Sequence, residues 1–391
     1  MPRPVTILCA NLKGNLGDYA ILEIMGRSLA RRHPGIEVRF FHHANKPVDT
    51  ERYPVFLNEC SVPLTDMGAA PHYTRPNWFR LASRVPGMDG LASRIHNRLI
   101  ECVSRKLCHE RAFVETLRDS SLVLFAGGSQ WGRANLNLNM FAQLACAARH
   151  SRVAAFPFGI SQAAFECNGP QHLGNMLSRL TPPIPVRDAI SHRLLADAGL
   201  KTVAISDCVF TAGDLVRQAE PGTGRSRTVY VAVTRSGATT PSAIVSLFER
   251  LRAAGFEPVL FSSCEVEDRP LADGVTALAD ETFVAPRSWK TAVKLFSEAK
   301  FVITNRLHCL IFSALAGTSV VPVGNRQKTQ AYAEDAELNF APAGIDAITT
   351  EAIAGFVDTL DTVRARQATY LEKSAAETEA VIDAICDLVA D

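Results

Sequence analysis

The segment AKFVITNRLHCLIFSALAGTSVVPVGNRQK, residues 299–328, combines a strand, a helix and a second strand. The apolar run Phe301–Thr304 predicts a buried strand, Asn305 is placed to cap the following helix, and Gly317 is placed to end it. Residues 319–323 predict the next strand, which runs parallel to the first by the right-handed crossover rule. The segment therefore predicts a βαβ unit.

The same alternation of short apolar runs and helical patterns extends over most of the chain. Further strands are predicted at Val5–Ala10, Val38–His42 and residues 122–126, 153–158, 202–205, 229–233 and 258–262. Such a series predicts two doubly wound, Rossmann-like α/β domains facing across a cleft, which resembles the GT-B architecture. We predict an N-terminal domain at residues 1–220, a C-terminal domain at 221–345 and closing C-terminal helices at 346–391, with a Gly- and Arg-rich linker at 221–227.

The composition is that of an ordinary globular protein. Hydrophobic residues make up 47% of the 391 residues, and 41 basic side chains nearly balance 40 acidic ones, so we expect no nucleic-acid partner. The ten cysteines are scattered without a CxxC pair, which indicates reduced packing residues. Because no apolar run has the length of a signal-peptide core or a membrane span, we expect a cytoplasmic protein. The sequence does not indicate an oligomeric state.

Residues 71–111 form the one strongly basic region of the sequence. They contain Trp78, Phe79 and eight arginine or lysine side chains, without a clear strand pattern. A basic amphipathic helix here could contact anionic lipid at the inner face of the cell membrane or a diphosphate-linked acceptor. The alternative is an ordinary solvated helix face.

Two glycine-bearing loops are expected at the carboxyl ends of strands, where ligands bind in such sheets. They are residues 11–18, with Asn15, Gly17 and Asp18, and residues 127–129, with Gly127, Gly128 and Ser129. Glycines allow close backbone approach, and a helix amino terminus favours anions. In the first loop we predict a helix that begins near Tyr19 with Asp18 as its cap. Tight turns without a ligand are the alternative for both loops.

Two further loops carry basic side chains. Arg187 ends a short apolar run, where it could grip a carboxylate or phosphate, or form a structural ion pair with Asp188 or Asp207. Arg306 and His308 occupy the predicted helix start after residue 304, and Lys328 follows the next parallel strand. These last three side chains should converge as an anion site that contains a proton donor.

The sequence predicts no metal centre. His42 and His43 are the only adjacent histidines among the ten, and neighbouring residues of a strand point to opposite faces. A Walker phosphate loop and a GxSxG nucleophile turn are also absent from the sequence.

Taken in order, these motifs resemble the polysaccharide pyruvyl transferase family. The matching elements are N-x-GD (Asn15, Gly17, Asp18), the glycine turn (Gly127, Gly128), RD-x-x-S (Arg187, Asp188, Ser191), Asp207, R-x-H (Arg306, His308) and Lys328. Two features depart from the family pattern: Ala126 stands where a third glycine is frequent, and residues 47–119 match no family element. Both departures concern the acceptor more than the donor.

The resemblance implies a GT-B-type fold and transfer of pyruvate from phosphoenolpyruvate to a sugar as a ketal, usually on a lipid-linked precursor of a bacterial polysaccharide. It implies an acceptor side in the N-terminal domain, a donor side in the C-terminal domain, and no metal or nucleotide cofactor. The residues implied in donor binding are Arg187, Arg306, Lys328 and Asn325. His308 would be the general acid that protonates the methylene carbon of the donor.

Several alternatives stay open at this point. Asp18 and Asp207 are each either a base for the acceptor hydroxyl or a structural cap or ion-pair partner. A nucleotide-sugar glycosyltransferase of the same architecture is a second function, for which Glu334 and Asp335 are the candidate ribose-binding residues. A protein that binds an anionic metabolite without catalysis is a third.

Overall fold

The computed structural model describes residues 3–42, 48–72, 89–131, 138–160, 165, 170–216, 226–234, 239–279, 281–324, 326–339 and 344–389. Its strands are β1 (Val5–Ala10), β2 (Val38–His42), β3 (Thr65–Ala69), β4 (Leu122–Phe125), β5 (Gly128–Trp131), β6 (Val153–Ala155), β7 (Phe158–Ile160), β8 (Ile184–Val186), β9 (Thr202–Ala204), β10 (Thr228–Ala232), β11 (Glu257–Phe261), β12 (Phe283–Val284), β13 (Phe301–Thr304) and β14 (Val320–Pro322).

Helices alternate with these strands along the chain. They are α1 (Leu16–Arg32), α2 (Arg52–Glu59), α3 (Asp89–Leu107), α4 (Arg111–Asp119), α5 (Leu138–Ala147), α6 (Pro170–Leu177), α7 (Ala189–Asp197), α8 (Gly213–Val216), α9 (Pro241–Ala253), α10 (Glu265–Leu278), α11 (Trp289–Ser297), α12 (Leu307–Leu315), α13 (Gln327–Asp335) and α14 (Thr350–Cys386). Short 3-10 helices lie at Cys208–Ala212, Ile345–Ala347 and Asp387–Val389.

The strands form three sheets in which every described pairing is parallel. The first has the order β3-β2-β1-β4-β6, the second β5-β7-β8-β9 and the third β12-β11-β10-β13-β14. The first and third sheets share one topology: the chain winds outward from the central strand in one direction and then in the other. We call the first two sheets with their helices the N-terminal lobe and the third sheet with its helices the C-terminal lobe. The predicted doubly wound α/β fold in two domains is confirmed.

One predicted strand, residues 153–158, is wrong, and the difference affects the candidate active site. Residues 153–158 do not form one strand, because Pro157 cannot donate a ladder hydrogen bond and the pairing stops before it. Strand β6 therefore stays in the first sheet, and β7 lies between β5 and β8 in the second sheet. The second sheet adds β8 and β9, whose carboxyl ends lead to Arg187 and Asp207.

The C-terminal residues, for which closing helices were predicted, form one long helix. Helix α14 begins at Thr350, with the Thr349 side chain accepting from the Ala352 N–H as a cap. Near its start it lies on the third sheet, where the Ser319 hydroxyl donates to the Leu360 carbonyl at 2.7 Å. At its end it meets the N-terminal lobe, where His33 Nε2 donates to the Cys386 carbonyl at 2.8 Å. The helix thus ties one lobe to the other.

The two lobes also share a hydrophobic core. One cluster of buried side chains includes Ile24 of α1, Trp289 of α11, Phe312 of α12 and Ile382 of α14. Two further clusters fill the opposite faces of the N-terminal and C-terminal sheets. Because burial of apolar surface stabilises at about 25 cal/mol per Å², the shared cluster favours close contact between the lobes.

Residues 217–225 lie outside the described residues, and they include most of the predicted linker. The linker and the domain boundaries therefore stay predictions. Trp78 and Phe79 of the basic region are also outside them. Within the described part of the chain, no helix is both long and apolar enough to cross a membrane.

A buried carboxylate strengthens the contact between the lobes. Glu23 of α1 is 1% exposed, and it accepts hydrogen bonds from Trp289 Nε1 at 2.9 Å, Lys290 Nζ at 2.8 Å and the Ser61 N–H at 2.9 Å. A glutamine at this position would replace one accepting oxygen by an NH2 group. That group is itself a donor and would face the three groups that now donate to Glu23.

We therefore expect Glu23→Gln to lower the free energy of unfolding by about 1 to 3 kcal/mol, the usual cost of an unsatisfied buried polar group. The measurement is the urea-denaturation midpoint. Glu372→Gln, at an exposed position of α14, is the matched control and should change little. Equal midpoints for the two variants would contradict a stabilising role for Glu23.

Candidate active site

Loops of both lobes meet where the strand order of their sheets reverses. In the first sheet the reversal lies between β1 and β4, and in the third sheet between β10 and β13. The loop after β1 contains Asn15 and leads to Gly17, and the loop after β13 leads to Arg306 and His308. A crevice at such a reversal is the usual ligand site of an open α/β sheet.

The loop after β1 differs in detail from its prediction. Helix α1 begins at Leu16, three residues earlier than predicted, and its cap is Asn15 rather than Asp18. The Asn15 side chain accepts from the Gly17 N–H at 3.1 Å. Asp18 lies in the first turn, where its carboxylate accepts a hydrogen bond from the Asn11 side chain.

Gly17 of the N-terminal lobe packs against His308 of the C-terminal lobe. A Cβ atom at position 17 would lie 1.9 Å from Nδ1 of His308, so any side chain there would collide with the imidazole ring. A hydrogen bond joins the lobes beside this position: the Leu16 N–H donates to the Ser263 carbonyl at 2.9 Å. The first turn of α1 therefore forms one wall of the pocket that holds His308.

A carboxylate of the second sheet faces the same histidine. Nε2 of His308 lies 3.6 Å from an Asp207 oxygen, and that oxygen accepts a hydrogen bond from Arg187 at 2.9 Å. Burial alone would raise the pKa of Asp207, but His308 and Arg187 outweigh it and hold that pKa well below its usual range. Asp207 is therefore an anion between two basic side chains.

This arrangement settles which carboxylate pairs with Arg187. Its ion-pair partner is Asp207, whereas Asp188 caps α7 by accepting from the Ser191 N–H at 2.7 Å. The Ser191 hydroxyl accepts from the Ile160 N–H at 2.8 Å, so the RD-x-x-S element joins α7 to β7. Asp188 and Ser191 thus have structural roles that hold Arg187 in place.

Arg306 is held by acidic side chains of α10. Its guanidinium donates to Asp268 and lies 3.8 Å from a Glu267 oxygen. Burial works to lower the pKa of Arg306, but the Asp268 carboxylate outweighs it and the pKa is raised. Within the described residues, Nε of Arg306 is buried without a hydrogen-bond partner. Asp268 thus fixes the orientation of the guanidinium, while its Nε has no hydrogen-bond partner within the described residues.

The predicted cap of α12 is wrong. Arg306 occupies the cap position, while the Asn305 side chain forms two hydrogen bonds with the Thr234 backbone at 3.0 and 3.2 Å. Asn305 therefore joins the ends of β13 and β10 instead of the helix start. His308 lies in the first turn of α12 as predicted, and Gly317 follows the helix end with a φ of 67°.

Basic side chains are crowded around Lys328, in the first turn of α13. Burial lowers the pKa of Lys328 to about 7, and the charges of Arg187, Arg326 and Arg306 add to the shift. The amino ends of α12 and α13 both supply further positive potential. The site therefore has a surplus of positive charge next to a histidine, which suits binding of an anion and transfer of a proton.

The glycine loop after β4 has a packing explanation. A Cβ atom at Gly127 would lie 2.4 Å from the Pro157 carbonyl oxygen, so backbone packing alone requires glycine there. Gly128 and Ser129 are not in a loop, because they begin strand β5. Asn325, the remaining predicted donor residue, lies outside the described residues.

Sequence reasoning missed two residues of this site. Arg326 occupies the position before α13 and its charge lowers the pKa of Lys328, and its place two residues before Lys328 was an available signal. Asp268 lies in an acidic stretch of α10 that resembles any solvated helix start. It is nevertheless buried, and it accepts from the Ser262 hydroxyl at 2.7 Å as well as from Arg306.

The space between these side chains is small. A cavity lined by Arg187, Asp207, Leu307 and Lys328 has a volume of about 20 Å³, enough for about one water molecule. A larger ligand therefore requires these loops to move apart.

Comparison with known proteins agrees with this geometry. A family model described as polysaccharide pyruvyl transferase matches residues 15–327, which include every residue of the site described above except Lys328 and Asn11. A search of curated proteins finds no match.

Solved structures with a similar fold include two UDP-GlcNAc 2-epimerases and a UDP-glucosyltransferase. A UDP-GlcNAc 2-epimerase from Neisseria meningitidis has a TM-score of 0.58 at 11% identity, over 99% of each chain. A UDP-GlcNAc 2-epimerase from Methanocaldococcus jannaschii has a TM-score of 0.61 at 11% identity, over 98% of this chain and 99% of that one. A UDP-glucosyltransferase from Polygonum tinctorium has a TM-score of 0.55 at 12% identity, over 100% of each chain.

At these identities the similarity establishes the GT-B-type fold alone. The family match is the stronger finding, since it spans most of the sequence and contains the residues that meet between the lobes. This chain belongs to the polysaccharide pyruvyl transferase family.

Proposed function

We propose that the protein transfers the pyruvyl group of phosphoenolpyruvate to a sugar acceptor as a ketal. The observation that carries the proposal is the surplus of positive charge around His308, where burial lowers the pKa of Lys328 to about 7 and the charges of Arg187, Arg326 and Arg306 add to the shift. Phosphoenolpyruvate carries a phosphate and a carboxylate, which would supply the missing negative charge. Family membership supports the same reaction class.

Two arginines are placed to hold these two anionic groups. Each guanidinium is oriented by a carboxylate, Arg187 by Asp207 and Arg306 by Asp268. A guanidinium presents its N–H donors in one plane, and this geometry matches carboxylate and phosphate oxygens. Lys328 would add charge beside them. Holding the donor in this way fixes its carbon atoms relative to His308, which is the main requirement for a bimolecular transfer.

His308 would act as the general acid. It donates a proton to the methylene carbon of the donor, and the neighbouring carbon becomes cationic. A sugar hydroxyl adds to that carbon, the carbon–oxygen bond to phosphate breaks, and phosphate leaves with the bonding electrons. A second hydroxyl of the same sugar then closes the ketal. One of the two hydroxyl protons restores His308, and the other leaves with phosphate.

Asp207 is better suited to position His308 than to deprotonate the acceptor. A carboxylate whose pKa is held well below its usual range is a weak base. At 3.6 Å from Nε2, however, it can orient the imidazole ring, as a carboxylate does in other acid–base sites. We therefore assign Asp207 to positioning.

We also propose a lipid-linked acceptor that reaches the N-terminal lobe on the cytoplasmic side of the membrane. Helix α3 exposes Arg98, Arg105 and Lys106 along one face, followed by His109. Such a face attracts anionic lipid or a diphosphate group.

Donor binding can be tested by thermal shift. A ligand that binds only the folded state adds about 2.7 kcal/mol of stability at a hundred times its dissociation constant. We expect phosphoenolpyruvate to stabilise wild type and His308→Gln, but not Arg306→Gln. Arg364→Ala, at an exposed arginine of α14, is the control and should respond as wild type does.

Two outcomes would contradict this assignment. Stabilisation by a UDP-sugar but not by phosphoenolpyruvate would favour a nucleotide-sugar glycosyltransferase. Stabilisation by phosphoenolpyruvate, without phosphate release over a broad panel of sugar diols, would favour a protein that binds the metabolite without catalysis.

The lowered pKa of Lys328 predicts proton uptake on donor binding. At pH 8, above its pKa of about 7, Lys328 is mostly neutral in the free protein. The donor's negative charge raises that pKa, so binding should take up close to one proton. At pH 6 the lysine is already protonated and this uptake disappears. Calorimetry in two buffers of different ionisation enthalpy measures the number of protons.

The matched variant is Lys328→Met, which removes the titrating group. It should bind more weakly and without the uptake seen at pH 8. Equal proton uptake by Lys328→Met and wild type would show that another group is responsible.

A further inference from the structure

Two thiols and an imidazole meet away from the active site. Cys108 follows the end of α3, Cys146 lies near the end of α5, and His150 is in the turn after it. The two sulfur atoms are 3.1 Å apart, and the ligand atoms of all three residues lie within 4.8 Å of one another. Cys146 is buried, while Cys108 and His150 are half-buried.

Packing of α3 on α5 brings these residues together. Val103 and Leu107 of α3 and Phe141 and Leu144 of α5 belong to one hydrophobic cluster. The turn that contains His150 leads directly into β6, so the group lies where strands of the first sheet begin. The active site lies at the opposite edge, where the strands end.

We propose that Cys108, Cys146 and His150 bind one zinc ion that fastens helix α3 to the first sheet. Two thiolates and one imidazole are typical zinc ligands, with bonds of about 2.3 Å to sulfur and about 2.0 Å to nitrogen. Tetrahedral angles at these lengths separate the ligand atoms by roughly 3.5 to 3.8 Å. The distances in the group, from 3.1 Å to below 4.8 Å, reach this range with small side-chain movements. Water would complete the fourth position.

The charges around the group suit a dithiolate zinc site. Zinc and two thiolates sum to zero, so the nearby arginines would not repel the complex. Arg149 Nη1 lies 3.7 Å from the Cys108 sulfur, and Nη2 of the same side chain donates to Glu101 at 3.0 Å. A metal-bound thiolate would accept a stronger hydrogen bond from Arg149 than a thiol does.

The surroundings of His150 favour the neutral form of its ring, which is the form that binds a metal ion. Burial, with the charges of Arg118 and Arg149, lowers the pKa of His150, so its ring keeps a free lone pair at neutral pH. Nε2 of His150 is buried and has no hydrogen-bond partner within the described residues. Burial also raises the pKa of Cys146, so zinc binding must displace the proton of that thiol.

A metal explains this group better than a disulfide or simple packing. A disulfide between the cysteines would leave the imidazole with no role, and an apolar packing cluster has no need of a histidine. Cys146 lies in the last turn of α5 and His150 in the turn that follows, four residues later. Cys108 is far from Cys146 and His150 in the sequence. Residue spacing alone therefore does not indicate a metal site, and it predicts that the cysteines are packing residues.

Cobalt substitution tests the proposal. Reduced, metal-free full-length protein should bind one equivalent of Co²⁺ and develop the near-ultraviolet band of thiolate–cobalt bonds. Zinc should then displace the cobalt, and the protein as purified should contain zinc. Cys108→Ser and His150→Gln should lose tight binding. Cys102→Ser, at the exposed cysteine of the same helix, is the control and should keep it.

Three results would overturn the proposal. The first is no thiolate–cobalt band with reduced wild type. The second is binding that Cys108→Ser leaves intact. The third is a purified protein that contains no zinc and has two thiols fewer than its sequence predicts, which would indicate a disulfide. Because the first and third use wild type, they do not depend on the variants folding.

Discussion

The contact between the backbone of Gly17 and the ring of His308 is the constraint on which the site depends. It brings the first turn of α1, from the N-terminal lobe, against the first turn of α12, from the C-terminal lobe. No side chain fits between them, so position 17 must be glycine for the ring to stay where it is. Asp207 approaches the same ring from the second sheet. His308 is therefore held by both lobes at once.

The electrostatics of the site follow from this closed arrangement. Four basic side chains, Arg187, Arg306, Arg326 and Lys328, are crowded together, while Asp207 and Asp268 each hold one arginine. Burial of Lys328 and this imbalance together destabilise the fold, because they give Lys328 a lower pKa in the folded chain than the ordinary lysine value. That cost is fully present below pH of about 7 and disappears as pH rises through the ordinary lysine range. An anionic ligand would remove it, so the imbalance also favours binding.

Periodicity predicts the α/β architecture well, since buried parallel strands are short apolar runs between helices. Strands β1, β2 and β13 have their predicted bounds. The prediction fails where a single residue redirects the chain, as Pro157 does between β6 and β7. Residue types and the order of the loops also indicate that Arg306, His308 and Lys328 lie at one sheet edge. Their partners are not predictable in this way, because Asp268 and the two cysteines of the proposed zinc site gain their neighbours only through tertiary packing.

In the proposed reaction, Gly17 and His308 together set the geometry for proton transfer to the donor. The most direct measurement compares phosphoenolpyruvate binding and pyruvyl transfer in Gly17→Ala and wild type. Gly355→Ala is the control, because a Cβ atom there would meet nothing within 4 Å. We predict that Gly17→Ala stays folded and binds the donor but loses transfer by at least about a hundred-fold, as expected when a catalytic group is misplaced. Transfer at the wild-type rate by Gly17→Ala would contradict this account.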